Sequence, residues 1–75
     1  MKLRIIDTIK RIKSNLTIDD NSHLILDGML SSLEIIMLIK ELEEEFTVKI
    51  PVSEVVPDNF DTVDSIVKMV ERLKA

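Results

Sequence analysis

Ser31-Ser32-Leu33-Glu34-Ile35-Ile36-Met37-Leu38-Ile39-Lys40-Glu41-Leu42-Glu43-Glu44-Glu45-Phe46 opens as a helix start and continues as an amphipathic helix. Ser31 followed three positions later by Glu34 is a capping box, in which each side chain reaches the other residue's backbone N–H. That pairing predicts Ser31 at the N-cap and Ser32 at the first helical position. Leu33, Ile36, Met37 and Ile39 alternate with Ile35, Leu38, Leu42 and Phe46 to give a wide apolar face. Glu41, Glu43, Glu44 and Glu45 crowd the far end, where the helix dipole favours cations. A tolerated cost there hints that the acids serve something other than helix stability.

Upstream, Lys2 to about Ser14 carries Ile5, Ile9, Ile12 and Leu16 at helical spacing, with cations on the remaining positions. Asn15 to Leu30 shows no sustained periodicity and contains the only glycine, Gly28. A loop this long in a small domain is often functional. Leu16, Ile18, Leu24, Ile25 and Leu26 are expected to pin it to the core. Downstream, Pro51 to Val56 fits one short helical turn, begun near Pro51 and ended by Pro57. The last helix is expected from about Thr62 to Leu73, capped by Asp61 or Thr62, with Val63, Ile66, Val67, Val70 and Leu73 as its stripe. The predicted fold is all-α, a small bundle of three main helices plus one short helix, in a single domain over residues 1–75.

Composition narrows the chemistry. The 75 residues hold no cysteine, which excludes disulfides and thiolate metal sites, and one histidine makes a catalytic metal site unexpected. Thioester chemistry in this chain therefore needs a prosthetic group. Residues 1–14 carry five cations against one anion, while residues 15–75 carry five cations against thirteen anions. The acidic part repels nucleic acid and attracts basic protein patches, and two phenylalanines as the only aromatics leave little for base stacking. The amphipathic start and the lack of a long apolar run lead us to expect a soluble, cytoplasmic protein with no membrane insertion.

Leu26-Asp27-Gly28-Met29-Leu30-Ser31-Ser32-Leu33-Glu34 resembles the phosphopantetheine attachment motif of the acyl carrier protein family. The resemblance continues through Glu41-Leu42-Glu43-Glu44-Glu45-Phe46, Val48-Lys49-Ile50-Pro51 and Pro57-Asp58-Asn59-Phe60-Asp61-Thr62-Val63. It implies that Ser32 bears 4'-phosphopantetheine, donated by coenzyme A through a phosphopantetheinyl transferase, and that the chain is not itself an enzyme. It also implies a monomer that carries acyl or aminoacyl groups as thioesters, in fatty acid, polyketide or related specialised biosynthesis. Its partners would be acyl-loading and acyl-transferring enzymes whose basic docking patches meet Leu33, Glu41 and Glu44. Two residues depart from the family pattern. Ser31 stands where Asp is usual, and Thr47 stands where Gly usually follows the terminal Phe. A β-branched residue in a left-handed cap costs roughly 1–2 kcal/mol, so either Thr47 is strained or the helix ends differently.

The residues on their own agree with the resemblance. A first-turn side chain faces outward, and the free N–H groups and positive dipole end there suit a phosphodiester. Ser32 has no neighbouring base in sequence, as a serine hydrolase would require. Taken singly, these residues also have plainer readings. Serine is common at helix starts, a glutamate run is usually a solvated face, and Asp27-Gly28 fits a simple turn in which Gly28 supplies freedom of φ. Met37 is expected in the core, and His23 is expected as a lone, solvent-facing loop residue. The rivals are a helical interaction module without a prosthetic group and, within the same family, a D-alanyl carrier.

Overall fold

In a computed structural model, which describes residues 1–74, three long helices pack round one core, joined by a long irregular loop and two short turns. Helix α1 spans Lys2–Ile12, α2 spans Ser32–Phe46, a single 3-10 turn covers Val52–Glu54, α3 is the one-turn helix Pro57–Phe60, and α4 spans Val63–Lys74. Helix α1 packs on both α2 and α4, and α3 packs on α4. The core takes Ile5 and Ile9 from α1, Leu38, Leu42 and Phe46 from α2, and Val63, Ile66, Met69 and Val70 from α4. Leu24, Leu30, Ile50 and Phe60 fill it from the connections.

The ends of α1 and α4 follow from local chemistry. Helix α1 stops at Lys13, whose N–H still reaches the Ile9 carbonyl at 3.0 Å. Helix α4 is capped by Thr62, whose Oγ1 accepts the Ser65 N–H at 3.0 Å. Asp61, the other candidate cap, is engaged elsewhere. Thr8 is fully buried, and its hydroxyl donates to the Arg4 carbonyl one turn back at 2.7 Å, which satisfies it.

Four expectations need correction. Pro57 does not end a helical turn; it opens α3 at the first helical position, where its fixed φ is already suitable and no N–H is needed. Val56 before it is extended, which separates the 3-10 turn from α3. Leu26 does not pin the loop: it is 77% exposed, and Leu24 does the anchoring. Met37 is 46% exposed rather than core. The buried stripe of α2 is Leu38, Leu42 and Phe46, and Met37 falls with Leu33 and Ile36 on the face turned away from it. Met69, absent from the expected α4 stripe, is fully buried.

Two of the four glutamates at the acidic end of α2, Glu45 and Glu41, are met by cations of α1. Arg4 donates to Glu45 Oε2 through both Nε (3.1 Å) and Nη2 (2.9 Å), and Nη2 also reaches the Glu45 carbonyl at 2.9 Å. A cation from another helix therefore meets the negative end of the α2 dipole. Arg11 reaches Glu45 Oε1 at 3.1 Å and Glu41 at 3.8 Å. The Arg4 guanidinium lies 4.4 Å from the centre of the Phe46 ring, a cation–π contact. Glu43 accepts the Ile50 N–H at 2.8 Å. These hydrogen bonds from Arg4 and then Arg11 hold the Glu45 carboxyl below its usual range.

Thr47 ends α2 in the left-handed conformation, with φ 53° and ψ 52°. Of the two endings open to it, the chain takes the strained one. The strain is worth roughly 1–2 kcal/mol, and a glycine gives back part of that gain through its looser unfolded chain. Thr47→Gly is accordingly expected to stabilise the fold by up to about 1 kcal/mol, read as a higher urea midpoint at unchanged slope. A lower midpoint would contradict this account of Thr47.

Candidate functional site

The start of α2 is built as the capping box predicts. Ser31 is extended (φ −77°, ψ 169°); its Oγ accepts the Glu34 N–H at 3.2 Å, and Glu34 Oε1 accepts the Ser31 N–H at 2.7 Å. The Ser31 carbonyl takes the Ile35 N–H at 2.9 Å. The N–H groups of Ser32 and Leu33 are left without intrahelical partners at the positive end of the dipole. Ser32 is exposed at the first position of the helix. The hydrogen bond from the Ser31 backbone is the largest of the effects that hold the Glu34 carboxyl below its usual range.

Two contacts position this start against the rest of the fold. Lys13, just past α1, donates to the Met29 carbonyl at 3.1 Å and lies 3.7 Å from Glu34 Oε1. It thereby ties the end of α1 to the capping box. Gly28 turns the chain into the site with φ +66°, and nothing lies within 4 Å of where a side chain would begin. The requirement for glycine there is conformational rather than steric.

Beside Ser32 runs an open apolar groove of about 360 Å³. Ile35, Ile36 and Ile39 of α2 form one side, Ile25 and Leu30 come from the long loop, and Val55, Val56, Pro57 and Phe60 close the other side. Around it the surface is unusually apolar: Leu33 is 66% exposed and Ile36 62%. The predicted partner residues divide. Leu33 stands in the open one position beyond Ser32, and Glu44 is exposed with no ion pair among the described residues. Glu41 is drawn towards Arg11.

Sequence reasoning missed Ile36, the exposed face of Met37 and the groove wall at Val55 and Val56. It also missed the pairing of His23 with Asp61, 2.7 Å apart and 38 positions distant in sequence. The width of the apolar face on α2 was the available signal for the first two, because a bundle this small covers only one side of a helix.

Because Ser31 supplies the cap, Ser31→Ala is expected to cost about 1 kcal/mol. Ser31→Asp keeps the cap and places a negative charge at the positive dipole end, so stability should hold or rise slightly. Thermal melts of the two variants check this. A clear loss in Ser31→Asp would mean that the cap does not set the start of α2.

Comparison with known proteins places this architecture. The family described as "Phosphopantetheine attachment site" matches residues 4–70. The D-alanyl carrier proteins of Streptococcus pyogenes serotype M5 (strain Manfredo) and serotype M1 are each 47% identical over 47 residues. That match covers 63% of this chain and 60% of each relative's length. Among solved structures, a chain in the Bradyrhizobium japonicum glycine:[carrier protein] ligase complexed with glycylated carrier protein superposes with a TM-score of 0.81 at 27% identity. It covers 91% of this chain and 95% of that one. A chain in the same ligase, complexed with cognate carrier protein and a glycyl adenylate analogue, gives 0.83 at 27% identity and 95% coverage of both. The chain belongs to the phosphopantetheine attachment family. Its relatives above are named as carrier proteins, and the family is defined by covalent attachment of phosphopantetheine.

Proposed function

We propose that Ser32 bears the phosphopantetheine and that the protein carries an aminoacyl group on it, loaded by an ATP-dependent amino acid:carrier ligase. The observation that carries this reading is Ser32 itself, exposed at the first position of α2 behind an intact capping box. When bound, the group supplies the thiol that this cysteine-free chain lacks. Ser32 Oγ would hold its phosphate, and the N–H groups of Ser32 and Leu33 face that charge with the positive end of the dipole. No base is needed beside Ser32, because the phosphopantetheinyl transferase that uses coenzyme A brings its own catalysis.

The aminoacyl cargo is supported by the relatives named D-alanyl carrier proteins and by the likeness to a chain in the glycine:[carrier protein] ligase complexes. Partners would dock on the outward face of α2, over Leu33, Ile36 and Met37, with Glu44 offering the charge that a basic patch would meet. A second reading, carriage of an apolar acyl chain as in fatty acid or polyketide synthesis, is favoured by the apolar groove beside Ser32.

Loading separates the two readings. Phosphopantetheinylated protein is offered ATP with D-alanine and a D-alanine:carrier ligase, or ATP with glycine and a glycine:carrier ligase. In parallel it is offered ATP and a fatty acid with an acyl:carrier ligase. The aminoacyl reading expects a gain of one alanyl or glycyl mass. A fatty acyl gain with neither amino acid accepted would overturn it.

A further inference from the structure

Three parts of the chain meet at Asp61, the residue between α3 and Thr62. Its Oδ1 accepts the N–H groups of Ile25 at 3.0 Å and Leu26 at 2.9 Å. Its Oδ2 lies 2.7 Å from Nδ1 of His23, and its own carbonyl accepts the Leu24 N–H at 2.6 Å. One residue thus gathers all four consecutive residues His23–Leu26, a turn that belongs to no helix. These three hydrogen bonds from backbone N–H groups tie the turn to the entrance of α4.

The turn is placed to matter. Leu24 is fully buried in the core, and Ile25 lines the groove shared with Ser32. The opposite wall, from Val55 to Pro57, is held differently. Asn59 donates to the Glu54 carbonyl at 2.7 Å, and Arg72 pairs with the Glu54 carboxylate at 3.0 Å. The chain's only histidine therefore acts on one wall alone. Its side chain is 43% exposed and that of Asp61 23%, so solvent protons reach the contact.

We propose that His23 and Asp61 form a proton-dependent clamp that sets the Ile25 wall of the groove beside Ser32, with Asp61 the positioning residue and His23 its titrating partner. The inference does not depend on what Ser32 carries. The charged groups acting on His23 are Asp61 and Asp27. The hydrogen bond to Asp61 raises the imidazole above its ordinary 6.5; desolvation opposes this, and the charges of Asp61 and Asp27 add to it. The bond to His23, then that from the Leu26 N–H, holds the Asp61 carboxyl below its ordinary 3.8.

The signs follow by linkage. The His23 contribution is present in full below 6.5 and is lost as pH rises through the raised folded value. The Asp61 contribution is present in full above 3.8 and is lost as pH falls through the lowered folded value. The clamp is tightest between those limits. Above them a neutral imidazole keeps an Nδ1–H donor, so an ion pair relaxes to an ordinary hydrogen bond and the wall loosens without detaching.

The test is amide hydrogen exchange of the purified protein by NMR at about pH 5.5 and about pH 8, expressed as protection over the intrinsic rate. Wild type should protect Ile25 and Leu26 about threefold or more better at the lower pH. His23→Gln should remove that pH dependence while α2 amides stay as in wild type, and Asp61→Ala should leave Ile25 and Leu26 with little protection at either pH. If Asp61→Ala does not fold, His23→Gln decides alone. A wild-type profile that is flat, or one that survives in His23→Gln, overturns the proposal.

Discussion

Phe60→Ala is expected to lower the melting temperature by at least roughly 12 °C, the largest stability loss among the substitutions considered. Phe60 is 1% exposed, although it ends a helix of only four residues. Its ring is the largest of the fully buried side chains. Truncating a buried phenylalanine costs about 3–5 kcal/mol in lost transfer energy and residual cavity. In a domain this small each kcal/mol moves the melting temperature by roughly 4–8 °C. Marginal stability is typically about 5–15 kcal/mol, and small domains lie towards the low end, so the variant would sit near the edge of folding. Val52→Ala, at a residue 88% exposed in the neighbouring turn, should move the melt by less than a few degrees, since surface changes stay within about 0.5 kcal/mol. Circular dichroism melts of the pair check the contrast. Equal melts would mean that the short helix is not anchored through Phe60.

The parts of the fold legible in the sequence are those decided within a few residues. The capping box, the spacing of Leu38, Leu42 and Phe46, and the lone glycine at positive φ are such cases. Thr47 was legible as a dilemma, since its cost depends on a backbone angle that only the folded chain fixes. Helix α3 was not legible, because a single turn has no periodicity and Pro57 is compatible with ending one turn or starting the next.

Contacts between distant segments were hidden for a different reason. The capping residue of α4 was ambiguous because Asp and Thr are both favoured N-caps and stand side by side. Only the fold shows that Asp61 is taken by residues 35 to 38 positions away. Likewise the glutamates on α2 look like a free acidic face, whereas Arg4 and Arg11 occupy Glu45 across 34 to 41 positions. For the candidate site, the place of Ser32 and Leu33 at a helix start was legible from the capping box and their roles only through the family resemblance, while the groove depends on three separate segments and has no local signature.

Ser32→Ala is expected to abolish uptake of phosphopantetheine completely while leaving the fold as it is. The hydroxyl is exposed and contributes nothing to the capping box, which is made by Ser31 and Glu34. Alanine is also the better helix former, so helicity should be unchanged or slightly higher. A complete chemical loss without a structural one is the signature of a residue that is modified rather than one that supports the fold. Ser31, adjacent and also exposed, is the natural competitor, but its oxygen is committed to the Glu34 N–H at 3.2 Å. The most direct measurement is intact mass with fragmentation, after the wild type and Ser32→Ala are each incubated with coenzyme A and a phosphopantetheinyl transferase. The account predicts one phosphopantetheine on Ser32 in the wild type and none in the variant; a group that persists in Ser32→Ala, or that fragments to Ser31, would contradict it.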